Sequence, residues 1–144
     1  MNNWNSVHGP QMNEARINHG CATANYNGSD HVFVVGGMGD GIPELDSMEV
    51  FNVNEGKWID AFRSANLPVP LAFPQVVEAN SPNYIVYAVG GYGPYGSVST
   101  IYGLNYSKQW EKIGNLANRR FAHTTINMGS NDIPGCQGKK YTNQ

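Results

Sequence analysis

The segment Val32-Phe33-Val34-Val35-Gly36-Gly37 returns as Val86-Tyr87-Ala88-Val89-Gly90-Gly91, and this recurrence constrains the chain more than any other feature. The match continues downstream. Val50-Phe51-Asn52-Val53-Asn54, closed by Trp58, returns as Ile101-Tyr102-Gly103-Leu104-Asn105, closed by Trp110, with one extra residue in the turn before the second tryptophan. A third register shows at both ends: Ala15-Arg16-Ile17-Asn18-His19 matches Arg119-Arg120-Phe121-Ala122-His123, and Trp4 precedes the first copy as Trp58 precedes the second. Self-similarity at about 50 residues marks a repeat protein, whose units cannot bury their own faces without neighbours. Full repeats are expected at about 15–62 and 67–114, with partial repeats on either side, so that residues 1–128 form the repeat region. Residues 129–144 are polar and aperiodic, and are expected to be unstructured.

Each unit reads as four short strands. In the first these are residues 19–24, ended by the hairpin dipeptide Asn27-Gly28, then 31–35, 48–53 and a fourth at Trp58. In the second they are 73–79, 84–89, 100–106 and 110–113, separated by the turns 80–83 and 107–109. Further single strands are expected at Trp4 and at residues 122–128. The nearly continuous apolar runs before each glycine pair suit strands covered on both faces. The glycines remove Cβ bulk and admit positive φ where the chain turns close to a neighbour. Composition agrees: charged residues make up only 14% of the 144, against 17 Gly and 8 Pro, a turn-rich profile that disfavours a helical bundle or a charge-expanded disordered chain.

Four antiparallel strands per period, a double glycine, an aromatic in the third strand (Phe51, Tyr102) and a following Trp (Trp58, Trp110) together resemble the kelch repeat of β-propellers. Arg16 with His19, and Arg120 with His123, are similar to the segment that opens a kelch unit. The second unit departs from that pattern, carrying Pro70-Leu71-Ala72-Phe73-Pro74 at the Arg/His position. The resemblance implies an all-β fold: a partial kelch-type β-propeller of two four-stranded antiparallel blades plus flanking single strands. Propellers close with about four to eight blades, so two blades imply an excerpt of a longer propeller, with closure by oligomerisation the minority alternative. Expressed alone, such a chain is expected to associate through its open faces.

Several motifs invite a chemical reading. Gly91-Tyr92-Gly93-Pro94-Tyr95-Gly96 matches GxGxxG, with Glu111 about 20 residues on, but β-branched residues rather than a helix follow it, which argues against dinucleotide binding. His8, His19, His31 and His123 show no metal-ligand spacing, and two of them share one repeated position, which points to a structural task. Arg16 and Arg120 are read as hydrogen-bonding side chains at unit junctions, or alternatively as ligand contacts at the propeller mouth. Phe51, Tyr102, Trp58 and Trp110 are read as core aromatics between blades. Cys21 reads as a small buried hydrophobe; Cys21 and Cys136 are open to one disulfide or two free thiols. The sequons at Asn27 and Asn105 are no more than chance supplies.

No catalytic triad order, HExxH or P-loop occurs, so no catalytic residue, metal or cofactor is assigned. A net charge of -2 leaves no basic footprint for nucleic acid. No apolar run approaches the roughly 20 residues of a membrane span, and the first residues lack the pattern of a signal peptide. Compartment and oligomeric state stay open. Because successive antiparallel strands alternate in direction, the loops after strands two and four of each unit open on one end, carrying Asp40, Glu44, Arg63, Tyr92, Tyr95 and Arg119. Such a mixture suits recognition. The resemblance implies a non-catalytic protein–protein interaction module; the alternative is a fragment of a kelch-like propeller enzyme of the copper radical oxidase or sugar isomerase type.

Overall fold

The computed structural model describes residues 9–126. The expected strand at Trp4, His8, Cys136 and the tail from residue 129 lie outside them. Four strands, β1 (Gly20–Tyr26), β2 (Ser29–Val35), β3 (Met48–Asn52) and β4 (Lys57–Ile59), form one antiparallel meander in that order. A single 3-10 turn at Asp60–Phe62 leads out of it. The second sheet contains β5 (Gln75–Glu78), β6 (Tyr84–Val89), β9 (Thr100–Asn105) and β10 (Trp110–Asn115), again neighbours in chain order. Between β6 and β9 a small hairpin, β7 (Tyr92–Gly93) and β8 (Gly96–Ser97), forms a separate two-stranded sheet. The chain is therefore all-β, with two four-stranded antiparallel sheets.

Local chemistry sets the boundaries. Asn27 and Gly28 both take positive φ, 53° and 79°, as a tight hairpin turn demands, and Asn25 Oδ1 accepts the Gly28 N–H at 3.2 Å. The strand expected from residue 73 begins at Gln75 instead, because Phe73 sits at φ 52° and Pro74 has no N–H to donate. Residues 122–126, expected to open a further strand, join no sheet. A bulge between Lys112 and Gly114 carries β10 past its expected end, so that Asn115 pairs with Thr100.

The sheets stack face to face. Sheet one contributes Ala24, Phe33, Val35, Met48 and Val50; sheet two contributes Val76, Val86, Ala88, Tyr102, Leu104 and Trp110 to the same cluster, with Phe62 and Leu71 between them. Small residues on β1 permit this approach: a Cβ on Gly20 would meet the Pro74 carbonyl oxygen at 2.5 Å. Alternation along β1 points Cys21 away from this core, so it is exposed rather than buried as its hydrophobicity suggests.

The repeat extends into loop backbone that shows little sequence similarity. The Gly37 N–H donates to the Leu71 carbonyl at 2.8 Å as the Gly91 N–H donates to that of Arg120 at 2.9 Å. Leu45 donates to Gly37, and Val98 to Gly91; Leu71 donates to Leu45, and Arg120 to Val98; Leu67 donates to Asp46, and Leu116 to Ser99. Trp110 donates its indole N–H to the Ala65 carbonyl at 3.0 Å, and Trp58 does the same to Pro10 at 2.9 Å. Three copies of one docking segment therefore run along the molecule, beginning near Pro10, Ala65 and Gly114. Each passes through a left-handed residue: Asn18 at φ 54°, Phe73 at 52° and Ala122 at 48°.

The glycine pairs sit inside this arrangement. Gly37 and Gly91 have φ of 101° and 120°, and each faces the opening segment of its own unit: a Cβ on Gly37 would lie 2.7 Å from the Ile17 carbonyl oxygen. Gly36 and Gly90 face the segment of the following unit, at the carbonyls of Leu71 and Arg120. Each pair is clamped between two successive docking segments: a Cβ would overlap backbone at Gly36, Gly37 and Gly90, and at Gly91 would press on the Ala72 carbonyl oxygen at 3.1 Å.

Candidate functional site

Arg16 is buried because its docking segment bridges to the loop that follows β2. Its side chain is fully enclosed and donates to the Gly36 carbonyl at 2.8 Å, the Ser47 carbonyl at 3.2 Å, Glu14 at 2.9 Å and Glu49 at 3.0 Å. Burial raises the Glu49 pKa, but hydrogen bonds from the Asn13 and Glu14 backbones and from Arg16 outweigh it and hold the carboxyl below its ordinary value. Arg16 is thus a structural residue of the junction. Arg120, at the same repeated position, is exposed, and the junction uses its backbone, the N–H donating to Val98 and the carbonyl accepting from Gly91.

The two repeated histidines, unlike the arginines, are alike: both are half-buried. Burial lowers the His19 pKa, and the nearby Arg16 charge lowers it further, outweighing a hydrogen bond with the Arg16 backbone. His123 is lowered by burial and by Arg120, and both of its ring nitrogens are buried without a partner. His31 is buried, its Nδ1 2.9 Å from the Ser29 carbonyl oxygen. Among the described residues no three His, Cys, Asp or Glu side chains converge as metal ligands would, and no helix is long and apolar enough to cross a membrane. The GxGxxG stretch forms β7 and β8 and runs toward β9, so among the described residues no helix N-terminus faces it to receive a phosphate.

The core aromatics divide by unit. Tyr102 and Trp110 are each 8% exposed between the sheets. Phe51 and Trp58, their equivalents, form an edge-to-face pair at 5.3 Å on the outward face of sheet one and are half-buried.

The six loop residues share one end of the molecule but not one site. Glu44 and Tyr92 line a cleft of about 300 Å³ together with Met38, Pro43, Ala72, Phe73 and Phe121. Tyr95, fully exposed, and Arg119 border a smaller depression of about 250 Å³ around the β7–β8 hairpin. Arg63 lies on a third, of about 450 Å³, that runs past Glu14, Glu49 and Trp58. Asp40 is exposed and lines none of these three.

Phe73 and Phe121 escape sequence reasoning as site residues. They lie between the repeated Arg and His positions, in a stretch read for those two residues alone, and left-handed turns occur at residues 73 and 122. The Phe73 and Phe121 rings lie 5.7 Å apart, and those of Tyr92 and Phe121 5.3 Å apart. Their signal in the sequence was positional: Phe73 and Ala122 occupy the place of Asn18, a residue type tolerant of positive φ. Comparison with known protein-family models and with curated proteins finds no match to the chain.

Proposed function

We propose that the chain is a non-catalytic recognition module of the kelch-propeller type, whose loop end binds a peptide or protein. The observation that carries this reading is the concentration of exposed apolar and aromatic side chains there: Tyr95 (100% exposed), Ile17 (63%), Ile42 (46%), Phe121 (45%) and Tyr92 (41%). These residues stand on loops pinned by the repeated backbone bonds, so the surface is held in shape before a partner arrives, which lowers the ordering cost of binding.

In the same reading the two sheets are blades of a longer propeller. Val32, Phe51 and Trp58 on the outward face of sheet one occupy the positions of Val86, Tyr102 and Trp110, which are buried in the cluster that sheet two shares with sheet one and the docking segment. A further sheet of the same kind would cover that outward face. Sedimentation velocity tests this part. Association at micromolar concentration that Trp58→Ser weakens supports it, whereas a monodisperse monomer with a sharp, concentration-independent melt overturns it.

Selection from a displayed peptide library tests the recognition reading. Enriched peptides should lose about tenfold in affinity on Tyr95→Ala or Tyr92→Ala, as interface aromatics typically do. Peptides that bind the loop-end variants as well as the wild type would refute the assignment.

A further inference from the structure

The cleft walled by Phe73, Tyr92 and Phe121 has an unusual chemistry for a surface depression. Met38, Pro43 and Ala72 complete a lining that is almost entirely apolar, and the exception is the half-buried Glu44. Glu44 enters no salt bridge among the described residues, and no basic residue lines the cleft. The loop that supplies Glu44 also carries Asp40 and Asp46 and contains no Lys or Arg. The rings are inclined to each other, by 58° for Phe73 with Phe121 and 75° for Tyr92 with Phe121, so they do not stack flat on one another.

Ring faces carry negative quadrupole potential, and an unpaired carboxylate adds a full negative charge, so the favoured guest is a cation. Its hydration and hydrogen-bonding needs narrow the choice. A guanidinium brings five N–H donors and a plain ammonium three, and this lining holds one carboxylate to receive them. An N-methylated ammonium has shed most of those donors and gives up its water more readily. We propose that this cleft binds the N-methylated ammonium of a lysine side chain presented by a peptide, with the three rings contacting the methyl groups and Glu44 compensating the charge. The proposal rests on the reading of the loop end as a peptide-binding surface, and names the side chain it takes.

The test titrates the full chain, by NMR and calorimetry, with four probes: tetramethylammonium chloride, a nine-residue peptide containing trimethyllysine, the same peptide with lysine, and one with the neutral tert-butyl isostere. The trimethyllysine peptide should bind about tenfold more tightly than the isostere, as expected for a partly desolvated cation against aromatic faces. Glu44→Gln should remove most of that preference while leaving the melting temperature unchanged. Phe121→Leu retains apolar volume but removes a ring, and should weaken the trimethyllysine peptide several-fold more than the isostere.

Equal binding of cation and isostere, or a cation preference that survives both substitutions, overturns the proposal. Tetramethylammonium binding with no gain from the peptide would overturn it in favour of a free quaternary amine. Should library-selected peptides still depend on Tyr95 while no cationic probe shifts the resonances of Phe73, Tyr92 or Phe121, the methylammonium site fails and the recognition reading stands.

Discussion

The two unit openings, Arg16-Ile17-Asn18-His19 and Leu71-Ala72-Phe73-Pro74, share a backbone and almost nothing else. Ile17 bridges Met38 as Ala72 bridges Tyr92, and the third residue of each is left-handed. Arg16 is surrounded by carboxylates and carbonyls, whereas Leu71 is 1% exposed within the apolar cluster. The difference teaches that the junction is specified by main-chain geometry and by glycines that leave room for it. Side chains fill whatever environment remains, ionic in one unit and apolar in the other.

The sharpest way to break that equivalence is to attack what the two openings share. Gly37→Val and Gly91→Val should each cost more than about 3 kcal/mol, combining a disfavoured φ with a close approach to a backbone carbonyl, 2.7 Å at Gly37 and 3.1 Å at Gly91. Chemical denaturation should give similar losses for both; a tolerated substitution in either unit would mean that its junction does not need the glycine. Next in size are exchanges of the fillings. Leu71→Arg places an unpaired guanidinium in an apolar site and should cost about 3–5 kcal/mol. Arg16→Leu leaves Glu49 with its backbone donors and should cost about 2 kcal/mol, so the pair of variants should be unequal.

Acid should separate the openings more gently. The folded pKa values of Glu49, His19 and His123 are all depressed, so each group binds protons more weakly when folded. Their contributions are complete above the unfolded-state values and are lost as pH falls through the folded ones. Stability should therefore decline first below about pH 6.5 through the histidines and again below about pH 4 through Glu49. Glu49→Gln should flatten the lower slope in urea titrations; an unchanged slope would place the linkage elsewhere. The smallest effects belong to the left-handed residues. Asn18→Gly should change stability by only a few tenths of a kcal/mol, whereas Phe73→Gly relieves about 1 kcal/mol of backbone strain and forfeits ring contacts, leaving a small net change in the melt.

Much of the fold was legible in the sequence because its signals are local. Asn27-Gly28, the paired glycines, the apolar runs and the repeat itself place the eight strands of the two four-stranded sheets, with ends shifted by a few residues. The β7–β8 hairpin was hidden inside a dinucleotide-like pattern, since Gly93, Pro94 and Gly96 serve a tight turn and a phosphate loop equally well. The environment of Cys21 depended on which face of β1 meets the second sheet, a tertiary fact that residue type does not carry. The loop residues were legible as one end of the molecule. Their separation into three depressions, and the recruitment of Phe73 and Phe121, followed from backbone turns that no residue type in those segments announces.

The clamped glycine pairs also bear on how the chain reaches its fold. The second and third docking segments each close onto a loop less than one repeat upstream, and closure entropy rises only logarithmically with such separations. A unit can therefore be completed using chain already synthesised, with each new segment sealing the unit before it. Growth in this order keeps the contacts that must form at any moment few and near in sequence, the condition under which β topologies assemble fastest.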